Sequence, residues 1–451
     1  MKCLYRQGYW PVVIASVLLL VAQAADGVTL TIADVRSRAL DFNRGHLVAR
    51  EEVVKAQADI VKARAGAFPK INLESYYSRS FRNPSLFWTE EDSGGVSSTT
   101  EIQMGFRNNF GASLSMRQSI WQGGKVFTAL SIAKLYRKYA QEVAAETKAD
   151  VKCQAEVLFY SAVLQHSRLA VLQKSFEANS YNLEVVEKFF SQGLVSEFEL
   201  LRARVEKANL MPEILRVESE LRLSKKRLKS FLGIDLNEEI MLVDEVGDTT
   251  LLGLPPLYEL IDSALARRPE MLQLDNLTSI SKKAIRIARG DYYPSLEAVS
   301  RYDWQSQSDA FTLDENISRS WTAGLNLSIP IFRGGETRGA VTQAVASHQQ
   351  ARLAAAQLRD DIELEVEESY DRVLQAKRLL DIQGETIAQA EEGLKIANLR
   401  YESGVGTQLE VLSAQAALTA ARTAQAEATY FFRTAKSSLK RATTIDIEKM
   451  E

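Results

Sequence analysis

Two glutamates, Glu199 and Glu410, stand at matching places in two copies of one short pattern. The first copy reads FSQGLVSEFELLRA from residue 190, and the second reads YESGVGTQLEVLSA from residue 401. Gly193 falls opposite Gly404, Ser196 opposite Thr407 and Glu199 opposite Glu410, at an offset of 211 residues. Glycine allows the left-handed stop that ends a helix. A hydroxyl residue followed three places later by glutamate is a capping box, which restarts one. Helix capping is therefore the first chemistry these residues predict.

Other chemistry has less support. His46, His166 and His348 have no mutual spacing suited to a metal site. The acidic run DDIELEVEE, 360 to 368, lacks the glycine and spacing of a calcium loop and reads as a solvated helix face. The glycine pairs Gly123–Gly124 and Gly334–Gly335 lack the GK[ST] of a phosphate loop. No nucleophile elbow or dinucleotide fingerprint occurs. The expectation is no enzyme, no cofactor and no metal site. With 55 basic and 58 acidic residues the net charge is −3, so no nucleic-acid partner is expected.

Positioning these residues falls to a chain of two similar halves. Residues 62 to 73, KARAGAFPKINL, match 286 to 298, RIARGDYYPSLEA, with Pro69 opposite Pro294 at an offset of 225. SIWQGGK (119 to 125) matches PIFRGGE (330 to 336) at 211, so the first half carries 14 extra residues between its proline and its glycine pair. In each half a helix of about 38 residues is expected to end at the proline. Period-two alternation follows. Phe110, Ala112, Leu114 and Met116 share one face, as do Trp321, Ala323, Leu325, Leu327, Ile329 and Ile331. Two hairpins are expected, over 71 to 118 and 295 to 331, with polar loops at 84 to 101 and 308 to 318. Residues 125 to 191 and 336 to 403 then lack proline, and each could form a helix of roughly 100 Å. A rod-like protein follows from that length. Shorter helices return after each glycine turn, the first with Pro212 inside it as an expected kink.

Lys2, Arg6, an apolar core and the small residues of AQAAD predict a signal peptide over 1 to 25, with a signal anchor as the alternative. Cys3 precedes that core, and Cys153 is read as a packed thiol. The organisation expected is a first half over 26 to 230 with its tip at 192 to 196. A crossover at 231 to 255 leads to a second half over 256 to 443, with its tip at 403 to 407, and a tail at 444 to 451. Beyond the N-terminus no apolar run is long enough for a spanning helix, so a membrane role needs strands or a surface anchor.

The proline before each strand pair, the GG after it, RRPE at Arg267 to Glu270 and the paired G-x-x-[ST]-x-x-E turns resemble the TolC-type outer membrane channel family. The resemblance covers nearly the whole mature chain. It implies an α+β membrane protein and a homotrimer. Four strands from each chain would close a twelve-stranded barrel in outer membrane lipid, and antiparallel helices would form a periplasmic tunnel. It also implies a periplasmic adaptor and an inner-membrane transporter, for efflux or type I secretion. Pro69, Gly123, Gly124, Pro294, Gly334 and Gly335 would then mark the barrel–tunnel junction, although an ordinary loop also explains each glycine pair. Gly193, Ser196, Gly404 and Thr407 would form the tip that docks the adaptor. In that family acidic side chains, a tyrosine and an arginine hold the tip shut. Tyr401 matches the tyrosine, Glu199 and Glu410 match acidic positions, and the arginine position holds Gly406. Ser413 stands at a second acidic position. The expected latch therefore lacks the arginine–aspartate pair. It relies on hydrogen bonds of Tyr401 and Gln408, with one acidic ring from the second half. A periplasmic coiled-coil adaptor is the competing class, but it leaves the two alternating hairpins unexplained.

Overall fold

The structure is a computed structural model that describes residues 28–91, 97–244, 253–312 and 317–445. The predicted signal peptide, the middle of the crossover and nearly all of the tail lie outside the described residues. In chain order the elements are β1 (Val28–Leu30), α1 (Ile32–Phe42), α2 (Arg44–Ala65), β2 (Lys70–Arg79), β3 (Ser85–Glu91), β4 (Ser97–Gln103) and β5 (Asn108–Gln122). Then come α3 (Lys125–Ser191), α4 (Glu197–Phe231), β6 (Ile240–Leu242), α5 (Leu257–Arg267), α6 (Pro269–Arg289), β7 (Ser295–Ser308), β8 (Ser318–Ser328), α7 (Glu336–Glu402) and α8 (Gln408–Thr443). Both α3 and α7 have 67 residues, which at 1.5 Å per residue makes each roughly 100 Å long.

Contacts divide the chain into two compact units. The unit made of Glu52–Gln141 and Leu272–Ala356 holds one four-stranded antiparallel sheet in the order β2-β5-β7-β8. The pairing of β5 with β7 merges the two expected hairpins into a single sheet. Cross-strand partners share a face, and the register puts Leu73, Leu114, Tyr302 and Trp321 in one row. The neighbouring row, on the opposite face, is Glu74, Ser113, Asp303 and Ser320. One face is therefore apolar and the other polar. Leu73, Trp321 and Leu325 on the apolar face are 69%, 73% and 68% exposed, so they stay open among the described residues.

The expected loop at 84 to 101 is not simply a loop. β3 and β4 pair as a separate two-stranded ribbon, seven residues each, matching the fourteen-residue surplus of the first half. Its alternation is masked by Ser, Thr and Glu, which fit an exposed ribbon as well as a turn.

The other unit, Met1–Glu51, Glu142–Met271 and Gln357–Glu451, holds the core. Val35 and Ala39 of α1 bury against Ala155 and Phe159 of α3 and Leu228 of α4. The second half repeats this with Leu260 and Ala264 of α5, Ile362 and Val366 of α7, and Phe432 and Leu439 of α8. The single long helix expected before each proline is divided in both halves. Arg268 is extended, at φ −64° and ψ 130°, because the ring of Pro269 disfavours helical backbone in the residue before it. Asn43 makes the matching break at φ −67° and ψ 122°. Its amide donates to the Phe231 carbonyl, and its side-chain oxygen accepts from His46 N–H. Pro212 lies inside α4, as expected, and the helix continues past it to Phe231.

Arg268 explains the RRPE motif. Its side chain is 2% exposed and reaches Glu270 at 2.7 Å and Glu365 at 2.6 Å. Arg441 joins the same carboxylates, at 2.6 Å to Glu365 and 3.2 Å to Glu270, and bonds Asp150 at 2.8 Å. Burial, the largest single effect, pushes the Glu270 carboxyl up, but hydrogen bonds from Arg268 and the backbone, together with the charges of Arg268 and Arg441, hold the group below its usual range. Four elements are tied together by one ionic network.

Candidate functional site

Each long helix ends in a glycine at positive φ, +74° for Gly193 and +76° for Gly404, a conformation that other residues rarely adopt. Ser196 and Thr407 are extended N-caps whose hydroxyls accept the N–H of Glu199 and Glu410, both at 3.3 Å. The capping-box prediction is half met. The returning bond from an acidic side chain to the cap N–H is made at Thr31 with Asp34, but at neither tip among the described residues. Under the first tip Val186, Leu200 and Ala203 are buried together.

The second tip has a feature that sequence reasoning missed. Arg400 Nε contacts Glu410 Oε2 at 3.2 Å across the turn. The same residue's carbonyl accepts the N–H groups of Val405 and Gly406. A Cβ on Gly406 would lie 2.8 Å from Arg400 Cβ, so this tight turn admits only glycine there. An arginine–acid pair therefore exists at the tip, with its arginine six residues before the position where the resemblance places it. The signal was the ten-residue spacing of Arg400 and Glu410 over a glycine turn. In the first half Phe189 occupies the place of Arg400, and Glu199 has no ion-pair partner among the described residues. Among the described residues the tip carboxylate without an ionic partner is therefore Glu199, in the first half.

Tyr401 and Gln408 meet a different environment from the one expected. The Tyr401 ring packs on Phe189 with centroids 6.2 Å apart. Burial pushes its phenol pKa up, and the charge of Glu199 adds to the shift. Its hydroxyl and both amide atoms of Gln408 are buried without a hydrogen-bond partner among the described residues. Gln408 is 2% exposed. A buried polar atom left unpaired costs about 1–3 kcal/mol, so the tip of a single chain is incomplete as a hydrogen-bonding structure.

At the sheet end of α3 and α7, Gly123, Gly124, Gly334 and Gly335 all have positive φ, between +58° and +90°. A Cβ on Gly123 would collide with the Gly290 carbonyl oxygen. Pro69 and Pro294 directly precede β2 and β7. Asp291, which sequence reasoning passed over, contacts Lys125 at the start of α3 and Arg333 before α7, the latter at 3.3 Å. The hydrogen bond from Lys125 holds its carboxyl below the usual range. Asp291 thus ties both glycine turns to the start of β7.

A sequence model described as outer membrane efflux protein matches residues 35–234 and 260–444. The cobalt-zinc-cadmium resistance protein CzcC of Cupriavidus metallidurans is 22% identical over 356 residues, 76% of this chain and 77% of that protein. The cation efflux system protein CusC of Escherichia coli O157:H7 is 22% identical over 395 residues, 86% of this chain and 80% of its own. A crystal structure of CusC superposes with a TM-score of 0.74 at 20% identity, covering 91% of each chain.

Proposed function

Because the chain belongs to the outer membrane efflux protein family, it is an outer membrane channel that serves as an exit duct, and we propose that it does so as a homotrimer. The observation that carries this reading is the four-stranded sheet, with one apolar exposed face and two unpaired edges, β2 and β8. A bilayer tolerates no open sheet edge, and closure of several sheets into one barrel removes them all. Three copies give twelve strands, with Leu73, Leu114, Trp321 and Leu325 toward lipid and Glu74, Asp303 and Asn326 toward the lumen. Strands of about ten residues suit a tilted barrel wall. The family and fold are those of channel proteins rather than enzymes.

Three tips brought together would place three copies of Glu199 and Tyr401 around one axis. The unpaired Tyr401 hydroxyl and Gln408 amide supply donors and acceptors for a neighbouring copy, which supports a gate at this end. Gly193, Ser196, Gly404 and Thr407 shape the turns that an adaptor would meet. That adaptor and an inner-membrane transporter complete the proposed assembly. Two relatives are named for cation resistance or efflux, and a Glu199 ring suits a duct that admits cations.

Spin labels test the barrel. Labels at Leu325 and Leu327 are expected to report lipid and one at Asn326 to report water. Three water-exposed labels would overturn the barrel reading.

A further inference from the structure

The apolar face of the sheet changes character at one end. Along β2 the residues on that face run Ile71, Leu73, Ser75, Tyr77 and then Arg79. Along β8 they run Leu327, Leu325, Ala323, Trp321 and then Arg319. Each edge strand therefore ends its apolar series on an arginine, at the end of the sheet opposite Pro69 and Pro294. Two more arginines join them there. Arg82 follows β2, and Arg107 precedes β5, its carbonyl accepting Ser80 N–H at 2.7 Å. All four are exposed. None has a carboxylate at ion-pairing distance among the described residues.

Exposed aromatic rings lie at the same end of the sheet. Phe81, Phe106 and Phe311 are 94%, 45% and 70% exposed. The Arg79 guanidinium lies 5.9 Å from the Phe81 ring centroid. The other end of the sheet differs. There Lys125 and Arg333 are both neutralised by Asp291, Arg117 faces Glu297 at 3.7 Å, and beyond Leu327 the alternation continues into the exposed apolar Ile329 and Ile331 rather than an arginine.

We infer that Arg79, Arg82, Arg107 and Arg319 bind the phosphate groups of lipid headgroups in the outer leaflet of the outer membrane. The inference rests on reading the sheet as a barrel wall in that membrane. Guanidinium presents a planar fork that matches phosphate oxygens, and it does so best where competing carboxylates are absent. Exposed rings beside the fork match the boundary between headgroup and acyl chain, where amphipathic aromatics anchor proteins. In a closed barrel the edges β2 and β8 of adjacent copies become neighbours. Arg79 of one copy and Arg319 of the next would then flank one seam on the lipid side, so that a doubly phosphorylated lipid could bridge them.

Native mass spectrometry of the full-length protein in non-ionic detergent tests this. The probes are lipid A carrying two phosphates and the same lipid dephosphorylated. The bisphosphorylated lipid is expected to stay bound, with retention about tenfold lower for Arg79→Gln combined with Arg319→Gln, two charge-assisted contacts being lost. Arg79→Lys with Arg319→Lys should keep part of the binding, because the charge remains. Arg352→Gln, an exposed position on α7, should change nothing. Equal retention of the dephosphorylated lipid, or no loss in the double glutamine variant, would overturn the inference. Displacement by inorganic phosphate alone would reassign the site to free anions and overturn it too. Heat-modifiable migration in gels is read on the same samples. If it is present while lipid retention is unaltered, only the lipid site fails; if the wild type lacks it, the barrel reading fails first.

Discussion

At the scale of single residues, the tip holds groups that a lone chain leaves unsatisfied. If a neighbouring copy supplies partners to Tyr401 and Gln408, Tyr401→Phe and Gln408→Leu should raise the resting conductance in planar bilayers. Without such partners both variants only remove a buried orphan, and melting temperature should hold or rise, since an unpaired polar atom costs about 1–3 kcal/mol. Glu199→Gln should lower cation preference more than Glu410→Gln, because Arg400 already neutralises Glu410. Equal effects from the two glutamates would contradict that assignment. Arg268 gives a separate prediction. It is 2% exposed and serves two carboxylates, which keep Arg441 as their remaining partner, so Arg268→Ala removes one set of charge-assisted bonds and should cost about 1.5–3 kcal/mol in denaturant unfolding. A loss below about 1 kcal/mol would mean that Arg441 alone holds the network.

At the scale of elements, the repeat made most of the architecture legible. The positions of Pro69 and Pro294, the glycine pairs and the glycine tips bracketed the strands and long helices, because proline ends a helix and glycine permits the positive-φ turn that other residues rarely adopt. What escaped was set by contacts between distant segments. Nothing local in DFNRG shows that Asn43 will bond Phe231 and break a helix. Nothing local in RGDYYP shows that Asp291 will meet Lys125 and Arg333. The Arg400–Glu410 pair was within reach of the sequence but depends on how the turn folds back, and the β3–β4 ribbon went unseen because its polar residues also fit a loop. Asp291 yields a pH test. Its folded-state pKa lies below the ordinary 3.8, so its stabilisation is fully present above that value and is lost as pH falls through the folded value. Asp291→Asn should therefore lower the melting temperature at pH 7, with the difference from wild type shrinking at pH 3 and below. A difference independent of pH would show that the side chain acts by shape rather than charge.

At the scale of the whole molecule, the open question is what closes the sheet. Ser75 on β2 and Ala323 on β8 lie on the same face and on opposite edges. Three strand spacings and a four-residue offset along the strands separate them within one chain, roughly 20 Å in all. A cysteine at each position with a thiol cross-linker of about 8 Å therefore favours bonds between copies over bonds within one. The native thiol gives little background. Burial, and then the charge of Glu156, push Cys153 up to about 11, so it is almost wholly protonated and slow to react at neutral pH. The expected product is a ladder that stops at three chains, with each single cysteine variant giving at most dimers. A ladder that stops at two would replace the twelve-stranded barrel with a smaller closure. Monomer alone would mean that β2 and β8 do not meet between copies, and the exposed face of Leu73, Trp321 and Leu325 would then need another cover. The prediction favours three because the apolar face and the two free edges demand one solution together. Lipid covers the face only if the edges are gone, and the edges vanish only by pairing with copies of the same sheet.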